Sequence, residues 1–509
     1  MTKHEAMATN GKATNNSDMD DEEWRKISIK SKTMNFFRNI TVEPLLGVFQ
    51  LSIILTSLTT QNLNLQKACR VNLELGEHVC TALEKQNATL YKTEELQVQE
   101  LVTGMLIWQN IIQNTIPCML VMFIGPWSDR NRKRKPFMLM PILGELVRNV
   151  GLIVCVYFFY ELPMEVAGLV ESIPSSITGS LPVLFLAVFA YVGDISTVKS
   201  RTLRVGYVSL FSSISVPIGA SLSGVLFRDY GFYGVYYIAT VLYLFCLLYG
   251  ILAIRDVKPD EVEKIDDTDC EKSSICKLVD FFDLKHVKKS FHVTFKEGSD
   301  ERRTNIMLLV VIVIILLGPL SGEQAFMYLL TRVKYNWNEV DYSIFSAYYF
   351  ICNLVGIGFT LMLLVNQLKL DDRLIGALGC LSKGLAAFVY AFAPTGMVFY
   401  IGPLVDIFHG TAFVAMRSML SKLVPANELG QVLAVFSLIE TVIPAVFRPL
   451  YTVIYQKTLY SLPGAFYIFG GILNIPGVII FLLMYKNHKR AKKCEFGHDE
   501  KQALNSKPT

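Results

Sequence analysis

Twelve mostly apolar runs constrain this chain more than any other feature. They cover roughly 42–61, 101–124, 136–160, 180–198, 205–227, 232–254, 305–331, 343–366, 373–393, 396–420, 430–453 and 464–485. A helix rises about 1.5 Å per residue, so about twenty residues cross the ~30 Å of hydrocarbon in a bilayer. Such runs predict an all-α integral membrane protein with twelve transmembrane helices in two six-helix halves. β-Barrel strands are shorter and alternate, which excludes a barrel. Charged residues make up only 18% of the 509 and hydrophobic ones 52%, a balance that a soluble chain of this length rarely has. Prolines interrupt many runs (Pro117, Pro217, Pro319, Pro403, Pro444, Pro476). Membrane helices accept them where neighbours or a cavity satisfy the freed backbone groups.

Lys and Arg set the orientation. They crowd the connection 125–135, with five cations and one carboxylate between Asp129 and Lys135, and recur at Lys199, Arg201 and Arg204. They recur again through 255–304 and at the start of the last tail, Lys486 to Lys493. These segments fall on every second connection, as the positive-inside rule requires, so both termini are expected in the cytosol. Residues 1–40 read as a disordered cytosolic tail without a cleavable signal peptide. Residues 41–254 then form the N-terminal half, 255–304 a cytosolic linker, 305–486 the C-terminal half and 487–509 a basic cytosolic tail. Loop 62–100 is expected outside, with Asn87-Ala-Thr89 as a glycosylation acceptor there. Connections 161–179 and 394–395 have no Lys or Arg and also read as external.

The ten cysteines include no metal-binding spacing. Cys118, Cys155, Cys246, Cys352 and Cys380 lie inside apolar runs and read as small core residues. Cys69 and Cys80 share the external loop, where a disulfide between them is compatible with an oxidising compartment. No nucleophile–base pair, metal cluster or phosphate loop appears. The sequence therefore predicts no enzyme, no cofactor, no catalytic or metal-binding residues and no nucleic-acid partner.

The stretch Gly125-Pro-Trp-Ser-Asp129-Arg130-Asn-Arg132-Lys133-Arg134 resembles the signature loop between helices 2 and 3 of the major facilitator superfamily. Gly125, Asp129, Arg130, Lys133 and Arg134 match, and Arg132 stands where a second glycine is expected. In that family the loop is a conformational latch, and the resemblance implies that role here. Ala190-Tyr-Val-Gly-Asp194-Ile-Ser, Ser200-Arg201-Thr-Leu-Arg204, Arg417-Ser-Met-Leu-Ser421-Lys422-Leu-Val and Glu428-Leu-Gly430 are similar to the proton-coupled folate transporter group, solute carrier family 46. The two six-helix halves with a long linker fit transporters built from parallel repeats. One departure stands out: the folate transporter's acid in helix 5 is replaced here by Ser209.

Ionisable residues within membrane spans are costly and mark functional candidates. Glu145 and Arg148 in the third run stand three apart and so on one face. Asp194 lies two turns before Arg201, which makes it either a latch partner or, as the family match implies, a gate or proton site. Glu323 follows Gly318-Pro319, where a broken helix can open to a cavity. Asp406 and His409 stand three apart in the tenth run, a spacing that predicts an imidazole beside a carboxylate. Arg417 suits capture of a substrate carboxylate or phosphate, and the family match points the same way. Glu440 and Arg448, eight apart, share a face, whereas Lys383 reads as snorkelling or packing.

The resulting expectation is a secondary transporter carrying a small organic anion with protons across a lipid bilayer. Asp194, Glu323, Asp406, His409 and Arg417 form the expected substrate and proton pathway, with Glu145, Arg148, Glu440 and Arg448 as additional candidates. An antiporter exporting amphipathic compounds and a non-transporting sensor are the alternatives. The plasma membrane is the default location, and the lysosomal membrane is the other compartment in which relatives work.

Overall fold

The computed structural model describes residues 41–84, 91–131, 133–195, 198–255, 291–296, 302–360, 370–424 and 429–505. These residues are helical apart from short joins, and no strand occurs among them. Hydrocarbon offers backbone groups no water, so each span must satisfy its own N–H and C=O groups, which a helix does. The N-terminal half contains α1 (Glu43–Lys67), the short external α2 (Glu77–Glu84), α3 (Lys92–Asn131), α4 (Lys135–Tyr157), α5 (Met164–Thr178), α6 (Ser180–Ile195) and α7 (Val198–Ala253). The C-terminal half contains α8 (Arg302–Tyr335), α9 (Glu339–Phe359), α10 (Asp372–Phe392), α11 (His409–Leu423), α12 (Leu429–Thr458) and α13 (Ala465–Asn505). Two one-turn helices, Gly396–Phe399 and Gly402–Val405, precede α11.

Among the described residues, eleven stretches are long and apolar enough to cross a membrane. The longest, Tyr207–Ala253, covers 47 residues, about 70 Å of helix and so more than two bilayer cores. It is divided at Gly231, where φ is 64° and ψ is −163°. That conformation is open to glycine and strained for other residues, and it falls where the fifth and sixth apolar runs meet.

Two external boundaries differ from the sequence reading. The segment 62–100 is helical at both ends, because α1 continues to Lys67 and α3 begins at Lys92. At the end of α1 the buried ammonium of Lys67 donates to the carbonyls of Phe159 and Leu162, both at 2.7 Å. Carbonyls just beyond the end of α4 are a natural seat for a cation. The segment 161–179 is largely α5, which belongs to the membrane stretch Met164–Ile195. A disulfide joins Cys69 to Cys80 and ties the turn after α1 to α2. Asn87 lies outside the described residues, as do both tail ends and most of the linker.

The halves meet where α12 packs on α3 and α9 packs on α7. Their polar contacts cluster toward the external end. The guanidinium of Arg332 donates to Glu95 at 2.7 Å and to the Leu83 carbonyl at 2.9 Å, with all three groups buried. Tyr455 donates to Gln99 at 2.8 Å, Gln99 to the Leu329 carbonyl at 3.2 Å, and Tyr328 to Asn62 at 2.7 Å. Around them Val98, Val102, Met105, Phe326 and Tyr455 share one apolar core. A desolvated ion pair inside that core joins the two halves.

Breaking the pair should loosen this closure. In Arg332→Gln, a cysteine introduced at Val102 should react several-fold faster with a membrane-impermeant maleimide added outside than it does with Arg332 intact. Equal labelling rates would show that the Glu95–Arg332 pair does not hold the external side shut.

Candidate functional site

The C-terminal half buries a cation between two acids. Lys383 of α10 lies 2.7 Å from Glu323 of α8 and 3.3 Å from Asp406, with each side chain no more than 2% exposed. Lys383 stands nine residues from the external end of α10, about 14 Å of helix, and so near mid-membrane. It does not snorkel, because its reach ends at these carboxylates and not at a headgroup. Its partners were legible as isolated charges, but the lysine was misread. Lone charges in apolar runs need counter-charges, and that signal was present for all three.

Asp406 reaches Lys383 because the tenth span is unwound. The residue caps the one-turn helix Gly402–Val405 with φ −83° and ψ 4°, and helix resumes only at His409. Ser382, next to Lys383, donates to the Val405 carbonyl and accepts from the Phe408 N–H, which holds the broken turn against α10. The expected Asp406–His409 pair forms neither a hydrogen bond nor an ion pair between the side chains among the described residues. Here the His409 backbone N–H donates to the Asp406 carbonyl at 3.0 Å, and Nδ1 of the imidazole is buried without a partner.

The site is short of hydrogen-bond partners. Oε1 of Glu323, Oδ1 of Asp406 and the hydroxyls of Tyr390, Tyr451 and Tyr467 are all buried and unbonded. Buried polar atoms normally find partners, so such a group points to a role that needs them unoccupied. Glu323 Oε1 and the Tyr451 hydroxyl face Gly470, where a Cβ would collide with the carboxylate and stand 2.9 Å from the hydroxyl. Tyr390 stacks on Tyr467 at 4.9 Å and lies 5.9 Å below the Lys383 ammonium. With all three groups charged, the triad carries a net charge of −1, and one proton makes it neutral.

The other candidates lie apart from this triad. Arg148 donates to Glu145 at 2.6 Å, and Ser180 donates to the second oxygen of Glu145 at 2.7 Å, within the N-terminal half. Arg417 donates to both oxygens of Glu440 at 2.8 and 2.9 Å and lies 4.9 Å from the Phe413 ring. The Arg417 side chain is 49% exposed. Glu440 and Arg448 do not pair. Arg448 has no ion-pair partner among the described residues, and its Nε is buried without a hydrogen bond.

Asp194, at the end of α6, is joined to the 125–135 stretch and not to the triad. Arg134 donates to it at 2.8 Å and also to Ser128, whose hydroxyl donates to the Lys133 carbonyl at 2.9 Å. Gly125 lies at the end of α3 against Leu186, and Arg204 donates to Thr41 at 3.1 Å with Glu43 at 3.8 Å. The side chains of Asp129, Arg130 and Arg201 lie outside the described residues.

Comparison with known proteins gives the same architecture. A family profile described as Major Facilitator Superfamily matches residues 88–447. The chain is 21% identical to the probable peptidoglycan muropeptide transporter SLC46 of Drosophila melanogaster, over 89% of this chain and 87% of the relative. It is 24% identical to the lysosomal proton-coupled steroid conjugate and bile acid symporter of Rattus norvegicus, over 82% and 87%. It is 22% identical to the proton-coupled folate transporter of Rattus norvegicus, over 87% and 91%. Among solved structures, the human organic anion transporter TETRAN superposes with a TM-score of 0.54 at 13% identity, over 86% of this chain and 98% of that one. The POT family transporter PepTSo superposes with a TM-score of 0.55 at 13% identity, over 88% and 98%.

The triad makes a stability prediction. Lys383→Met leaves two buried acids without a cation, a lesion of about 3–5 kcal/mol. Its melting temperature in detergent should fall by several degrees at neutral pH and recover at acidic pH, where protonation discharges the acids. The triple variant with Glu323→Gln and Asp406→Asn should regain most of the loss. A Lys383→Met protein that melts like wild type would remove the lysine from the triad.

Proposed function

The chain belongs to the major facilitator superfamily, and on that premise we propose that it is a secondary active transporter carrying an organic anion together with protons. The observation that carries the coupling is the Glu323–Lys383–Asp406 triad. Two acids share one ammonium where charge is expensive, so protonation of either acid relieves the excess and changes the force on Lys383. A group whose charge state alters an ion pair between α8, α10 and the broken tenth span can bias how these helices pack. His409 and the unbonded tyrosine hydroxyls surround the same acids and offer a route for the proton.

Inward transport is the direction we propose. We take the side of the Glu95–Arg332 pair as external, in line with the distribution of Lys and Arg along the sequence, and the halves are joined there by that pair and its apolar neighbours. Binding from outside requires this contact to part, and proton entry into the triad then accompanies the anion inward. The 125–134 stretch, with Arg134 on Asp194, serves as the cytosolic latch in this reading. Arg417, held by Glu440 but half-exposed, is placed on the substrate's path toward the cytosol. The fly and rat relatives act on muropeptides, steroid conjugates, bile acids and folate, by their names. Anionic solutes of that kind define the substrate class proposed here. A compartment with an acidic face, either the plasma membrane exposed to acid or the lysosome, supplies the gradient.

Cells expressing the protein should take up labelled folate, a steroid sulfate or muramyl dipeptide faster at acidic than at neutral external pH. Glu323→Gln and Asp406→Asn should flatten that dependence while both proteins still reach the membrane. Uptake that is indifferent to external pH would sink the coupling. Arg417→Ala should abolish uptake at unchanged surface expression, and unchanged uptake would take Arg417 out of the pathway.

A further inference from the structure

Charge within the spans of the C-terminal half is balanced in sum but not in place. Apart from Arg332, whose partner Glu95 belongs to the other half, the acids are Glu323, Asp406 and Glu440, and the cations are Lys383, Arg417 and Arg448. Lys383 takes two acids and Arg417 takes the third. Arg448 is left with none, and its guanidinium makes no hydrogen bond among the described residues. An arginine within a membrane span is costly and is normally paired. The described arginines in the other spans follow that rule, with Arg148 on Glu145, Arg332 on Glu95 and Arg417 on Glu440.

The orientation of Arg448 follows from its helix. Val442, Val446 and Leu450 are 37%, 59% and 40% exposed and mark the lipid face of α12. Arg448 stands two residues from Val446 and from Leu450, about 200° around the helix, and so faces away from lipid. Thr452, one turn outward on the same face, accepts a hydrogen bond from Asn110 of α3 at 3.3 Å. The two helices run antiparallel, so one turn inward from that contact brings Asn114 to the depth of Arg448. Asn110 and Asn114 share a face, and Asn114 donates to the Asn110 carbonyl at 2.7 Å. Gln113 beside it donates to Ser172 at 3.3 Å. An unpaired guanidinium therefore lies at the level of amide groups of the opposite half, beside the seam between the halves.

We infer that Arg448, with Asn114 opposite, is the anchor for the anionic group of the transported solute, a carboxylate or a sulfate. Guanidinium grips such oxyanions with two parallel N–H bonds, and amide N–H groups complete the shell. The inference rests on the transport reading above and deepens it. Anion on Arg448 and proton on the triad neutralise the two unbalanced places together, so the loaded carrier buries no net excess charge in this half. Because the anchor spans the halves, a bound anion also draws α12 toward α3.

Two measurements test it. Uptake of labelled folate, estrone sulfate and muramyl dipeptide is compared in wild type, Arg448→Gln and Arg448→Lys at matched surface expression. Loss of charged hydrogen bonds predicts roughly a ten- to hundredfold fall for Arg448→Gln and a partial recovery with lysine. Thermal melting of the purified full-length protein is then followed in sulfate and in succinate against chloride at constant ionic strength. Wild type should gain stability from the divalent anions beyond any gain seen in Arg448→Gln. Equal uptake by Arg448→Gln, or equal anion stabilisation of the two proteins, overturns the anchor. If wild type carries none of the probes, the transport reading fails, and the melting comparison still decides whether Arg448 holds an anion.

Discussion

The structure depends on the cost of burying charge in hydrocarbon. Lys383 sits at mid-membrane with two carboxylates, and none of the three side chains is more than 2% exposed. Desolvating these groups costs several kcal/mol each, which attraction repays only if the geometry holds. That requirement explains local features that look unrelated. The tenth span must unwind at Asp406 to present its carboxylate, Ser382 must cap the unwound turn, and position 470 must be glycine to leave room for Glu323. One ion cluster thus dictates a helix break, a side-chain cap and a missing Cβ on three different spans.

The same cost organises the external closure differently. Glu95 and Arg332 belong to opposite halves and are buried by an apolar core that both halves supply. The pair can exist in this form only while the halves touch. On separation both charges meet water, which lowers the price of parting them. A contact that is strong when dry and weak when wet switches between two states and does not deform gradually. The triad has no such exit, since all its members lie in one half. In the proposed reading its charge changes by protonation, so that the pair serves gating and the triad serves coupling.

The apolar spans and the isolated charges within them were legible because apolar length and isolated charge are local signals. The pairings were not, because they depend on where a helix breaks. Asp406 and His409 are three apart in sequence, and the turn 406–408 interrupts the regular helix between them. Lys383 was read as peripheral because a single lysine in an apolar run looks like a snorkelling residue. Only the fold shows that α10 turns it toward Glu323. The helical ends of 62–100 were missed for a related reason. Lys67 falls within the stretch read as loop, whereas its ammonium is buried on the carbonyls of Phe159 and Leu162.

Counting charge by position also separates cotransport from exchange. If an anion and a proton travelled in opposite directions, each would neutralise its own site while the other stayed charged. The protein would then cross its occluded state with either the triad or Arg448 unbalanced. Moving together, they discharge both, and the occluded state is the least costly when fully loaded. An empty carrier faces the opposite problem: an excess negative charge at Lys383 and an excess positive charge at Arg448. Those opposite charges attract through a low-dielectric interior, where attraction reaches farther than in water. In the proposed reading the uneven sharing of these acids among these cations therefore eases the return of the empty carrier and favours anion and proton moving together.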